Sequence, residues 1–326
     1  MQRNSSDFDS INMETNIRIR DLSVEYYNRS VLITNRTIGS RLWFVNNKKL
    51  ENEILGYLAK YVQVYEVVLE AFTVMGNHYH LIGKFPKGNR SDFVRSFNSI
   101  VARLTSKYVK NFKDGKLWAR RSKVHVFDSP DDVEKWFYYV ILNPIYTGLV
   151  KTMEEYELYS SFLDVVYNRV KKFKIVNWTK YLNYKRSNKK AKVSDFEEEY
   201  ELKYSIIEAY EKFDLVKRIQ VIKEKARKII EEIERERMEE GKGFLGKKKL
   251  RKIRPGSRPR KTKSSFIPGK KTIILTQSPE VKNAFLKFYY SIIEKYYDAV
   301  IRLKKGFVDV VFPEGCHRSG SKIKKC

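Results

Sequence analysis

His78 and His80 are two of only four histidines in the chain, and a single residue separates them. Side chains alternate across a β-strand, so in a strand both imidazoles share one face while Tyr79 points to the other. Two imidazoles so placed can take neighbouring positions on one divalent cation. The competing reading is a histidine pair satisfied by hydrogen bonds in the core. Two histidines are an incomplete site, and the missing ligand has a candidate further along. Tyr139 and Asn143 are four residues apart, one turn apart on the same side of a helix. If that helix packs on the histidine face, Asn143 can supply an oxygen ligand and Tyr139 can present its hydroxyl to the same ion. Imidazole with oxygen ligands suits Mg²⁺ or Mn²⁺ when phosphate and water fill the remaining positions.

Such a constellation does phosphoryl transfer. A bound cation withdraws charge from a phosphodiester oxygen and aligns the phosphorus for in-line attack. A tyrosine hydroxyl, with an ordinary pKa of about 10, is a weak nucleophile in water and needs that help. Attack yields a covalent phosphotyrosine, a stored bond that a second DNA end can resolve without ATP. Tyr138 is the rival nucleophile, but its partner at i+4 is Leu142, which cannot bind metal.

These residues need elements to hold them. Val31–Thr34 and Leu42–Phe44 read as strand around a turn at Gly39. Lys49–Tyr61 has helical apolar spacing, with Ile54, Leu55, Leu58 and Tyr61 on one side. Two strands follow, Val64–Met75 and His78–Phe85, joined by Gly76-Asn77, a dipeptide suited to a tight hairpin. Ser91–Phe112 is helical through Phe93, Phe97, Ile100, Val101, Leu104 and Tyr108, and Lys123–Phe127 reads as a short strand. The next helix is the best punctuated: Ser129 is an N-cap, Pro130 fits the first helical position, and Asp131 and Asp132 suit the positive end of the dipole. Pro144 turns Asn143 away from continued helix. This non-alternating order predicts an α+β fold, an antiparallel sheet with packed helices.

The expected organisation is a disordered lead over residues 1–20, a catalytic domain over 21–184, and a basic, mainly helical region over 185–326. Tyr181–Lys192 is polar and basic, a plausible linker. Glu197–Glu240 reads as a solvated helix or helix pair with a seam of Ile219, Ile222, Ile229 and Ile233. Gly246–Lys263 holds ten basic residues and no acidic one: Lys247, Lys248, Lys249, Arg251, Lys252, Arg254, Arg258, Arg260, Lys261 and Lys263. Pro255 and Pro259 make it an extended arm rather than a helix, suited to clamping a DNA backbone. A strand-like Thr272–Thr276, a capped helix from about Ser278 to Leu303, and Phe307–Phe312 complete the chain.

Composition names the partner. The 66 Lys and Arg outnumber the 39 Asp and Glu, a formal charge of +27. Each phosphate neutralised releases condensed counterions, so a polyanion is the economical explanation. The chain has no apolar run of about 18 residues and no basic helix with a wholly apolar face, which disfavours a membrane. Only two cysteines occur, Cys316 and Cys326, which excludes a disulfide framework and a cysteine zinc ribbon. With a polar beginning, the expected location is cytoplasmic, at the nucleoid. Arg120 and Arg121, after Trp118, could hold phosphates while an aromatic stacks a base. His125, in the Lys123–Phe127 strand, could be a spare ligand or a phosphate contact, but reads first as an ordinary core or surface histidine.

Val74-Met75-Gly76-Asn77-His78-Tyr79-His80-Leu81-Ile82 resembles the histidine-hydrophobic-histidine strand of the HUH single-tyrosine transposases. Tyr139-Val140-Ile141-Leu142-Asn143-Pro144, followed by Gly148-Leu149-Val150, resembles the tyrosine helix of their REP-associated branch. Ile33-Thr34-Asn35-Arg36 and Leu117-Trp118 also fit, so the likeness covers roughly residues 20 to 165. Tyr79 departs from the smaller aliphatic common in the middle slot. A larger departure is the C-terminal half, although Gly243-Phe244-Leu245-Gly246 and the basic arm resemble an extension of some longer relatives. The resemblance implies a ferredoxin-like fold and cleavage of single-stranded DNA beside a hairpin, leaving a 5′-phosphotyrosine and a free 3′-hydroxyl. It implies metal ligation by His78, His80 and Asn143 and attack by Tyr139, in a monomer or a homodimer. The alternatives are a DNA-hairpin-binding protein that has lost turnover, and an RNA-hairpin binder.

Overall fold

The computed structural model describes residues 28–112, 115–259, 274–313 and 316. The lead 1–20 and the basic residues Arg260, Lys261 and Lys263 lie outside them. The chain divides into two compact units, Asn28–Gln277 on one side, Met1–Tyr27 with Ser278–Cys326 on the other.

The larger unit is built on a mixed sheet. Its strands are β1 (Val31–Arg36), β2 (Val68–Val74), β3 (His78–Lys84), β4 (Lys123–Phe127) and β7 (Ile274–Leu275), in the order β2-β3-β1-β4-β7. The first four pair antiparallel with one another. With helices α1 (Lys48–Val64) after β1 and α2 (Arg90–Tyr108) after β3, this is the ferredoxin-like order that the resemblance implies. β7 adds in parallel beside β4 and covers an edge that would otherwise offer unpaired backbone.

The two faces of the sheet have different work. Phe72, Tyr79 and Leu81 point to α1 and α2, where Phe97 meets Phe72 and Tyr79 edge-on. Leu32, Ala71 and Ile82 point the other way, into a cluster with Phe137, Val140 and Ile141 of α3 (Pro130–Ile141). Because residues paired across strands share a face, Thr34, Arg36, Thr73, His78 and His80 all belong to the α3 side. α3 starts as its punctuation predicts: the Ser129 hydroxyl accepts from Asp132 N at 3.1 Å, with Pro130 at the first position.

Several expectations change. Leu42–Phe44 is not strand, because Gly39 and Ser40 adopt φ of 60° and 52° and turn the chain off the sheet; Trp43 and Phe44 are buried in the loop instead. α1 continues to Val64, and Glu66 at φ 51° makes the turn, so β2 begins only at Val68. Residues 181–192, expected as a linker, include the second half of helix α6 (Trp178–Ser187). That helix sits between β5 (Lys171–Val176) and β6 (Glu197–Leu202), an antiparallel pair. β6 was expected as helix, but Glu198, Tyr200 and Leu202 alternate inward with glutamates outward, a strand period. Helix α7 (Leu215–Glu239) is not a solvated rod: Ile222, Ala226 and Ile233 are buried in the same cluster as Phe137 and Ile145.

Three short helices complete this unit: α4 (Asn143–Tyr146), α5 (Phe162–Val166) and α8 (Lys247–Leu250). The smaller unit's described part is α9 (Pro279–Lys304), capped by Ser278, followed by a tail in which Phe312 returns to the Tyr296 ring at 5.5 Å. Phe307–Phe312 is irregular. Among the described residues no helix is long and apolar enough to cross a membrane.

Candidate active site

The Gly76-Asn77 hairpin delivers the histidines. Met75 N donates to His78 O at 2.8 Å, closing a two-residue loop. A Cβ on Gly76 would come within 2.8 Å of Leu42 and 2.9 Å of Val45, so only glycine admits this packing. Asn77 carries more than the turn. Its Nδ2 donates to Ser40 O at 2.9 Å, which aims its Oδ1 at His78 Nδ1, 2.6 Å away. That oxygen can only accept, so His78 carries its hydrogen on Nδ1 and leaves Nε2 bare.

The two Nε2 atoms of His78 and His80 face each other at 3.1 Å. Two ligand atoms bound at about 2.1 Å and at right angles on an octahedral ion lie about 3.0 Å apart. The imidazole pair therefore has the spacing of one cation. His80 Nδ1 lies 2.8 Å from the Thr34 hydroxyl, which can donate or accept. In the protein alone, His80 donates from Nε2 to His78 and accepts from Thr34. Were both Nε2 atoms to hold a cation, His80 would carry its hydrogen on Nδ1, where the Thr34 hydroxyl could accept it. Both rings also stay neutral. Burial, then His80 and Arg36, hold His78 well below the ordinary histidine range. Burial, then Arg36 and His125, lower His80 to about 3. Neutral imidazole is the form that binds metal.

α3 brings Tyr139 to this face. Thr73 donates to Val140 O at 2.7 Å and Ser160 to Ile141 O at 2.7 Å, tying the helix end to β2 and to the following loop. The Tyr139 ring lies 5.6 Å from His80, centroid to centroid, and is flanked by Trp136 at 5.0 Å and Tyr146 at 5.5 Å. Its hydroxyl has no hydrogen-bond partner among the described residues. Tyr138, the rival, is buried, and its hydroxyl meets that of Tyr210 at 2.6 Å. Burial pushes the Tyr138 phenol far up, which leaves it inert.

Asn143 does not share the helix of Tyr139 as expected, because α3 ends at Ile141 and Asn143 starts α4; it is fully buried, with neither Oδ1 nor Nδ2 hydrogen-bonded among the described residues. An unpaired buried amide costs about 1–3 kcal/mol. A carboxamide oxygen kept at that cost fits a ligand's role, which supports the donor set of two imidazoles and one amide. Among the described residues no cluster of three His, Cys, Asp or Glu could hold a metal.

Sequence reasoning missed the residues around this core. Arg36 pairs with His78 and Lys123 with Thr34 in register, so both cations lie on the α3 face. His125 lies there too, lowered to about 4 by burial and then Lys123, with Nδ1 unpartnered. Thr34 and Asn77 orient the rings; the signal was the strand period applied to the neighbouring strand, and a side chain read only as a turn residue. Arg120 and Arg121 are exposed before β4. Trp118 cannot stack a base beside them, because it packs between Phe44 and Tyr79 and donates to Asn98 O.

The basic arm is docked. Asn46 Nδ2 reaches the carbonyls of Leu250, Arg251 and Ile253, and Leu42 exchanges backbone hydrogen bonds with Gly256 and Ser257. The Arg258 guanidinium lies within 3.6 Å of where a Cβ on Gly39 would sit, one residue from the Ser40 carbonyl that holds Asn77. Lys247 and Arg251 are engaged by Glu157. Lys248, Lys249, Lys252, Arg254 and Arg258 are exposed, with no ion pair among the described residues.

Fold and site together define a small sheet-based domain with a histidine pair and a helix-borne tyrosine. Residues 31–141 match the family described as "Transposase IS200 like". A solved structure of a REP-associated tyrosine transposase bound to a REP hairpin is similar at 18% identity, covering 42% of this chain and 78% of that one, with a TM-score of 0.35. No curated protein matches the chain.

Proposed function

We propose that the protein is a metal-dependent nicking and joining enzyme for single-stranded DNA, cleaving beside hairpins, with Tyr139 as nucleophile. The observation that carries this reading is the convergence of the His78 and His80 Nε2 atoms at 3.1 Å beside the Tyr139 ring. His78, His80 and Asn143 would hold Mg²⁺ or Mn²⁺, which when bound draws charge from a phosphate oxygen. Asn143 Nδ2, left over once its oxygen binds metal, can donate to another phosphate oxygen. Arg36 and Lys123 add positive potential on the same face.

Tyr139 Oη forms a bond to phosphorus while the bond from phosphorus to the 3′-oxygen breaks. The phenolic proton leaves through water and the 3′-oxygen ends protonated, so the products are a 5′-phosphotyrosine and a 3′-hydroxyl. A 3′-hydroxyl from another end reverses the step and joins the strands. The exposed cations of the arm, with Arg120 and Arg121, hold the phosphate backbone without reading sequence. The hairpin preference rests on the likeness of the histidine and tyrosine motifs to the REP-associated branch.

The test is a denaturation-resistant adduct. Full-length protein with Mg²⁺ or Mn²⁺ and hairpin-bearing single-stranded DNA should give one that chelator abolishes. Tyr139→Phe should remove it and leave DNA binding nearly unchanged. An adduct that persists in Tyr139→Phe removes Tyr139 from the role; tight binding with no adduct under any metal favours the non-catalytic hairpin binder.

A further inference from the structure

α6 and the turn after it present an unusual surface. Between Trp178 and Lys192 the sequence has six basic residues and no acidic one. Lys180 is paired with Glu198 and Lys185 donates to the Tyr181 hydroxyl. Arg186, Lys189, Lys190 and Lys192 are exposed, and their side chains have no partner among the described residues. Large apolar side chains stand among these cations: Trp178 is 42% exposed, Tyr184 50% and Leu182 54%. Trp178, Leu182 and Arg186 follow at i, i+4 and i+8, one side of the helix. A segment that served only solubility would turn its rings inward and mix its charges. The neighbouring acidic strand does not cancel the patch, since Lys172 engages Glu199 and Glu201.

The position sets this surface apart from Tyr139. Ile175 of β5 packs against Gly56 of α1, where a Cβ would come within 2.6 Å. Lys107 of α2 lies 5.6 Å over the Trp178 ring. The patch is thus on the α1–α2 side of the sheet, whereas His78, His80 and Tyr139 lie on the α3 side.

We infer that this face is a second contact site for single-stranded DNA, with bases stacking on Trp178 and Tyr184 and phosphates held by Arg186, Lys189, Lys190 and Lys192. Single strands fit because a duplex keeps its base faces covered, while an unpaired base offers a flat face to an exposed ring. One indole face already carries the Lys107 ammonium, so the cation and a stacked base can share the ring. A strand bound here would be the flank of a substrate whose other part is at Tyr139, or a separate strand held nearby.

The site does not depend on the chemistry at Tyr139, so it is tested in full-length Tyr139→Phe protein, with oligo-dT that has no hairpin. Two further variants are compared, Trp178→Ala, and Lys189→Ser with Lys190→Ser and Lys192→Ser together. Trp178→Ala should weaken oligo-dT roughly tenfold, as loss of a stacking platform does, and should reduce the quenching of tryptophan fluorescence on binding. The triple change should make the slope of log affinity against log salt shallower by about 2, given about 0.7 per phosphate contact on single strands. All four residues are exposed, so melting temperatures should be unchanged. Unaltered affinity and slope in both variants overturn the inference. So does a tighter grip on oligo-rU of equal length, or loss of anionic-vesicle binding with oligo-dT binding intact.

Discussion

At the scale of single residues, the site depends on hydrogen placement as much as on ligand identity. Asn77 fixes His78 in one tautomer because its amide is itself oriented by Ser40. His80 has no such fixed partner; the Thr34 hydroxyl accommodates either tautomer. Thr34→Val keeps the shape and removes that freedom, leaving His80 Nδ1 beside a methyl group. Loss of such an outer partner typically costs about 10- to 100-fold in metal affinity. Thr34→Val should therefore need that much more Mn²⁺ for half-maximal adduct formation, while hairpin binding without metal stays the same. Titrating Mn²⁺ against adduct yield checks it; an unchanged midpoint means the hydroxyl is not part of the metal's environment.

Among the elements, the docked arm gives the clearest test. Gly256 has φ 83°, and a Cβ there would meet the Trp43 ring at 2.4 Å. Gly256→Val suffers both strain and collision, and a left-handed conformation alone costs about 1–2 kcal/mol. The arm should leave the 42–46 loop, so trypsin should cut faster at Arg251 and Lys252. Affinity for single-stranded DNA should fall while the melting temperature changes little. Cleavage at the unaltered rate would mean the arm is held by something other than this contact. Much of this level was legible in advance. The cap signals gave the start of α3, although the spacing extends the helix to Asn143 and it ends at Ile141, and the two-residue period gave β3 and β4. The arm's docking was not legible, because its hydrogen bonds come from Asn46, about two hundred positions earlier, and backbone carbonyls leave no pattern in sequence. The misread β6 has the same origin: its glutamates look like a helix surface until the lysines of β5 stand opposite.

On the scale of the whole molecule, the segment from Tyr210 to Leu275 is structural to the larger unit rather than an appendage. α7 places Ile222, Ala226 and Ile233 against the cluster that contains Phe137, Ile141 and Ile145, and Tyr210 bonds Tyr138. β7 closes the sheet beside β4. Burying one isoleucine contributes about 1.5–3 kcal/mol, so Ile222 and Ile233 alone supply a large share of the roughly 5–15 kcal/mol that holds a domain folded. The same cluster includes Phe137, Val140 and Ile141 of the helix that carries Tyr139. A fragment of residues 28–184 should therefore lose sharp thermal unfolding and bind a hydrophobic dye, while residues 28–277 should melt cooperatively. In the full chain, Ile233→Asp should lower the melting temperature and cut adduct formation more than it cuts binding to the basic arm, because it loosens α3 and leaves the arm's cations in place. Calorimetry and adduct yield on the same samples separate these. If residues 28–184 melt as sharply as residues 28–277, the apolar seam of α7 contributes little to the core, and the position of Tyr139 must be secured by β2 and the Ser160 loop alone.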